Sequence, residues 1–154
     1  MTTGTWEEMD ALILPLLHQD AALDAALRDS EQLPNIAVMA SHGRLLQLLV
    51  RGIGARRVLE VGTLGGYSSI WMASGLPADG RLITLELNEE HAAVARRNLQ
   101  RAGVGGVVEV RVGRAIKTLP QLEAEAPFDF VFIDADKPPT TEYFDWAVRL
   151  TRPG

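Results

Sequence analysis

Arg57-Val58-Leu59-Glu60-Val61-Gly62-Thr63-Leu64-Gly65-Gly66-Tyr67-Ser68 passes from a short apolar run straight into a cluster of glycines. The run predicts a buried strand ending at Gly62, and the pattern from Ser68 to Leu76 predicts a helix. Between them the glycines allow a sharp turn and a close approach of backbone to a ligand. The helix start beyond offers free N–H groups and a positive dipole end. A dinucleotide fingerprint G-x-G-x-x-G counted from Gly62 needs glycine at position 64, where Leu64 stands. Glu60, two residues before the first glycine, would repel a phosphate. Taken alone, the loop also suits a purely structural glycine turn.

Downstream the same alternation repeats. Arg81 to Glu86 reads as a second strand and Glu89 to Ala102 as a helix, with Asn88 as N-cap and Gly103 as stop. Glu86, ending its strand, can accept hydrogen bonds from a ribose diol. It can equally be a carboxylate beside a helix N-terminus. Val107 to Val112 reads as a third strand, running into Gly113-Arg114-Ala115 and a short helix to Leu119. Phe128 to Asp134 is the fourth strand and Glu142 to Leu150 the last helix. Alternation along that strand puts Asp134 and Asp136 on one side. Two acids and Lys137 at the end of a buried strand are costly unless they bind something.

Strands alternating with helices imply a parallel sheet covered on both faces, with ligands beyond the carboxyl ends of its strands. Upstream, Trp6 to Leu33 reads as a helix interrupted at Pro15, and Gly43 to Gly52 as a strongly apolar helix. The expected organisation is a single domain, with N-terminal helices over residues 1–52 and an α/β core over 53–154.

The chain has 154 residues, 47% hydrophobic and 23% charged, with no cysteine. Disulfides, thiolate nucleophiles and cysteine-bound zinc are therefore excluded. A net charge of −5 makes nucleic acid a poor electrostatic partner, and Arg96, Arg97 and Arg101 read as a solvated helix face. No apolar run is long enough to span a bilayer, and the acidic first residues do not form a signal peptide, so a cytoplasmic location is expected. His18, His42 and His91 lack metal-ligand spacing and read as surface or packing residues; Trp71 and Trp146 read as core or interface.

Glu60-Val61-Gly62-Thr63 with Gly66-Tyr67-Ser68, then Phe128-Asp129-Phe130-Val131-Phe132-Ile133-Asp134-Ala135-Asp136-Lys137, resembles the cation-dependent O-methyltransferases. That family includes catechol and caffeoyl-CoA O-methyltransferases, and its bacterial members are the most similar. The likeness runs from about Asn35 to Gly154 and implies a Rossmann-like class I methyltransferase sheet that binds S-adenosylmethionine. Glu60, Gly62 and Ser68 match positions holding its methionyl part, with Thr63 and Gly66 in the same loop. Glu86 matches the ribose acid, Ala115 the adenine contact and Asp136 a further cofactor contact. Val38 falls where plant members have a cofactor-contacting threonine, and Arg114 where relatives carry a small, acidic or polar residue. Asp134 matches a residue of cofactor and metal, and Lys137 a lysine proposed as general base.

The resemblance implies metal-assisted methylation of a small hydroxylated, catechol-like acceptor by a homodimer joined through its N-terminal helices. In the family, Mg²⁺ is completed by an Asp-Asn pair on the strand after Pro153-Gly154. One carboxylate is too few. The chain is therefore expected to be C-terminally truncated, with its final strands and metal site missing. Pro138-Pro139 lacks the flanking residues of the D/N-P-P-Y motif, which disfavours a nitrogen acceptor. Two other readings remain: a non-catalytic cofactor-binding or dimerisation module, and an NAD-dependent Rossmann protein.

Overall fold

The computed structural model describes residues 6–17, 21–34 and 38–153. Within them lie helices α1 (Trp6–Ile13), α2 (Ala21–Asp29) and α3 (Ala40–Gly52), then strand β1 (Arg57–Val61), α4 (Tyr67–Gly75) and β2 (Arg81–Glu86). There follow α5 (Glu89–Arg101), β3 (Val108–Val112), α6 (Ala115–Thr118), β4 (Phe130–Ile133) and α7 (Thr140–Leu150). His18 and Asn35, which entered the sequence reading, lie outside the described residues, as do residues 1–5 and Gly154.

All four strands are parallel, in the order β3-β2-β1-β4. The chain therefore builds outward from β1 to β3, then crosses back to the opposite side of β1. The switch point lies between β1 and β4, where this class of sheet opens a crevice. Beyond the first residue of each, β1 and β2 are buried throughout, as central strands covered on both faces should be. Alternation splits their side chains: Val58 and Leu82 pack with Ile70, Trp71, Leu46 and Leu99 on one face. Leu59, Val61, Ile83 and Leu85 pack with Leu119, Leu122, Phe128 and Leu150 on the other.

The sequence expectations need adjusting at several boundaries. The predicted helix over Trp6–Leu33 is divided by a 3₁₀ turn at Leu14–Leu16 around Pro15, which has no N–H to give a helical ladder. The apolar helix begins at Ala40 rather than Gly43, because Met39 is extended and starts it. A 3₁₀ helix over Leu119–Glu125, with Pro120 in its first turn, was not anticipated.

The fourth strand is four residues long rather than seven and only half-buried. On its outer side, the described residues pair only just before the strand, where Phe128 forms a parallel bridge with Thr151. Asp134 and Asp136 thus lie past the strand, in the loop, and are exposed. The expected cost of burying them does not arise. They reach the ligand pole because the loop turns there, not through strand alternation.

Candidate functional site

At the carboxyl ends of the strands lies a cavity of about 790 Å³. Its wall carries nine of the eleven candidate cofactor, metal and catalytic residues: Val38, Gly62, Thr63, Ser68, Glu86, Ala115, Asp134, Asp136 and Lys137. Glu60 and Gly66 are not on it.

The loop after β1 is held by its backbone. Gly62 has φ +103°, a left-handed conformation, and a Cβ placed there would lie 2.0 Å from the carbonyl oxygen of Asp134. Only glycine lets the β1 and β4 loops meet so closely. Gly66, at φ 81°, turns the chain into α4. Leu64 has φ 48°, so it adopts the left-handed geometry that a glycine would take more cheaply. Its failure to match a dinucleotide fingerprint therefore leaves the turn intact.

Glu86 secures that strained turn. Its Oε2 accepts from the N–H of Thr63 at 3.2 Å and of Leu64 at 2.8 Å, and its Oε1 from Asn88 N–H at 2.9 Å. Placing the carboxylate at the end of β2, beside β1, lets one side chain brace the first loop and face the cavity. Gly113 N–H donates to the Glu86 carbonyl at 2.8 Å, bringing the β3 loop and Ala115 to the same wall.

Glu60 stands behind the wall, wholly buried and opposite Thr84 in the β1–β2 register. Ser68 Oγ donates to its Oε1 at 2.5 Å, and Ser69 Oγ donates to its Oε2. Burial pushes the carboxyl up to about 7; the hydroxyls of Ser68, Ser69 and Thr84 oppose that rise, and the charge of Asp134 adds to it. Of Glu60 and its three hydroxyl partners, only Ser68 reaches the cavity. The folded state thus keeps a proton that the unfolded chain loses near 4.5, so stability falls as pH rises from about 4.5 to 7. Replacing Glu60 with Gln is expected to flatten that slope, worth at most about 3 kcal/mol. Melting curves at pH 5 and pH 8 check it: the wild-type midpoint should drop between them more than that of the variant.

The last wall segment is the loop after β4. Asp134 N–H donates to Val61 O at 2.9 Å, and Thr140 N–H and Oγ donate to Lys137 O at 3.1 and 2.8 Å. Tyr143, buried on α7, donates from its hydroxyl to Asp136 Oδ1 at 3.0 Å. Burial, then that carboxylate, pushes the phenol up to about 12, so it remains a donor.

Two wall residues escaped the sequence reading. Tyr143 carries no local signal within an amphipathic helix. His91, set aside as a surface or packing residue, stands on the wall with Nδ1 3.5 Å from Glu86 Oε1. Its position five residues after the strand-ending acid was the available clue. Among the described residues, no three His, Asp or Glu side chains converge as metal ligands. Asp134 therefore does not by itself fit a divalent-cation centre.

A family model described as O-methyltransferase matches residues 19–154. A catechol O-methyltransferase of Niastella koreensis is 52% identical over 159 residues, covering 100% of this chain and 72% of the relative. One from Mycobacterium tuberculosis is 57% identical over 141 residues, covering 90% of this chain and 64% of the relative. The crystal structure of TomG, an O-methyltransferase of Streptomyces achromogenes in complex with SAM, superposes with TM-score 0.93 at 48% identity. The match covers 100% of this chain and 71% of TomG. A Bacillus cereus O-methyltransferase in complex with SAH gives 0.91 at 48% identity, over 95% of this chain and 69% of the neighbour.

Proposed function

The chain belongs to the O-methyltransferase family, and from that premise we propose that it methylates a hydroxyl of a small, catechol-like acceptor at the expense of S-adenosylmethionine. The observation that carries this reading is the cavity at the sheet's switch point, where a glycine turn, a strand-ending acid and the Asp134–Lys137 loop meet. The names of the Niastella and Mycobacterium relatives support the acceptor class, and the ligands in the TomG and Bacillus structures support the cofactor.

S-adenosylmethionine supplies a methyl group already activated on a positively charged sulfur. The protein's task is then alignment and removal of one proton. In this reading Ser68 and Asp134 hold the methionyl end, Glu86 fixes the ribose, Ala115 flanks the adenine and Asp136 makes a further cofactor contact. Lys137, on the exposed rim, would take the acceptor's proton as the oxygen displaces the methyl group from the cofactor's sulfur. The Ser68 hydroxyl donates a hydrogen bond to Glu60, which leaves its oxygen free to accept one from an ammonium in the cavity.

With Asp134 the lone expected ligand, no step is routed through a metal. The exposed side chains of Leu45, Leu48 and Leu49 on α3, with Ile53 at its C-cap, give the expected homodimer a surface to use. No helix among the described residues is long and apolar enough to cross a membrane.

The reading is tested by incubating the chain with labelled S-adenosylmethionine and catechol, with and without Mg²⁺. Label in methoxyphenol supports it. Cofactor binding without any transfer, in either condition, favours the non-catalytic module instead.

A further inference from the structure

A second cavity, of about 520 Å³, adjoins the first. Its wall includes Met39, the N-cap of α3, with His42 and Leu46 of that helix and Phe132 of β4. Val38 and Asp134 line both cavities. His42 and Leu46 are four residues apart and so share one face of α3, with Met39 three residues before His42. Leu46 is buried and Phe132 half-buried against the core, while Met39 keeps 45% of its surface exposed. Thioether, alkyl and aromatic surface thus face one space, a wall on which an aromatic ring packs well. Apart from Asp134, the only polar side chain on that wall among the described residues is His42. It is exposed and has no hydrogen-bond or ion-pair partner among them. An imidazole can donate or accept, so it can serve a hydroxyl either way.

We propose that the ring of the methyl acceptor lies in this second cavity, against Met39 and Phe132, with its reacting hydroxyl directed over Asp134 toward the cofactor and its neighbouring hydroxyl hydrogen-bonded to His42. The inference rests on the reading that the first cavity holds S-adenosylmethionine and that the acceptor is catechol-like. Acceptor oxygen and methyl carbon have to meet, so their two sites need a common boundary. Val38 and Asp134 form one. Lys137 is on the wall of the first cavity and not of the second. A hydroxyl that crosses Asp134 therefore enters the space where the base stands, while the ring stays behind. A phenol with a single hydroxyl fills the same place but leaves His42 without its bond. His42 thereby sets a preference for a vicinal diol.

The test titrates catechol and phenol into the chain saturated with S-adenosylhomocysteine, its methionine methyls isotope-labelled and followed by NMR. No divalent cation is added, so a metal does not supply the preference for a diol. The Met39 methyl, identified by its loss in Met39→Leu, should shift as the ring binds, while that of Met72, wholly buried in the core, should not. The wild type should bind catechol about fivefold more tightly than phenol, the value of one hydrogen bond. In His42→Ala catechol should weaken to the level of phenol, with the affinities for phenol and S-adenosylhomocysteine unchanged within about twofold. His42→Gln, which keeps a donor and an acceptor, should restore part of the preference and replaces the alanine variant if that does not fold. Catechol that binds without moving Met39, or a preference undiminished in the His42 variants, would overturn the proposal. A loaded chain that binds neither phenol nor catechol would remove the acceptor reading beneath it, and a chain that never loads would remove the cofactor reading; either takes the proposal with it.

Discussion

Lys137→Ala should lower the rate of methyl transfer to catechol at least about a hundredfold while leaving the affinity for S-adenosylhomocysteine within about twofold. A positioned acid or base contributes roughly 10² to 10⁴ to rate. Nothing else about Lys137 should change with the substitution. Its side chain is exposed, and the hydrogen bonds that shape its loop, from Thr140, are accepted by its backbone carbonyl. Stability should stay within about 0.5 kcal/mol of wild type, as for other surface changes. Lys137→Arg separates charge from proton transfer, since guanidinium keeps the cation but does not deprotonate. If turnover is lost in both variants, the amine is the base. A rate within about threefold of wild type in the alanine variant would remove Lys137 from the chemistry.

The largest structural effect should come from Gly62→Ala. An alanine at φ +103° is strained, and its methyl would meet the Asp134 carbonyl oxygen at 2.0 Å, well inside contact distance. Neither backbone is free to retreat. Gly62 N–H donates to Leu85 O and Asp134 N–H donates to Val61 O, both at 2.9 Å, so separating the loops breaks the ladder at the switch point. Strain and overpacking together are expected to cost about 3–5 kcal/mol. For a chain of this size that lowers the melting midpoint by roughly 10 °C or more. Gly54→Ala is the matched control. Its φ is also positive, at +62°, but no atom lies within 4 Å of the added methyl, so it registers strain without the clash. A Gly62→Ala midpoint no lower than that of Gly54→Ala would show that the two loops are not in the contact described.

Most of the fold was legible because its strands are buried on both faces and so read as continuous apolar runs. Val58 to Val61 and Leu82 to Leu85 owe their burial to neighbours on either side, and that demand is written in the residues themselves. Where position in the sheet decides the outcome, local pattern misleads. Phe128 to Asp134 looks like one seven-residue strand, yet regular pairing with β1 starts only at Phe130 and ends at Ile133. The site was legible in its acids and glycines, whose spacing is set by the strand–turn–helix unit. Its wiring was not. That Glu60 would face inward to two serines, or that Glu86 would spend three lone pairs on backbone N–H groups, depends on how α4 and β2 sit beside β1. A lone histidine on a polar helix reads as a surface or packing residue, and only its spacing of five residues from Glu86 hinted that His91 would stand on the cavity wall.

The central claim, that the cavity at the switch point is built for an adenosyl amino acid, is tested most directly by calorimetric titration of the chain with S-adenosylhomocysteine, with NAD as control and Glu86→Ala alongside. The account predicts saturable binding of S-adenosylhomocysteine, no heat from NAD, and an affinity lowered at least about tenfold in the variant, which loses a charged acceptor. A folded chain that binds NAD, or that binds S-adenosylhomocysteine equally well without Glu86, would contradict it.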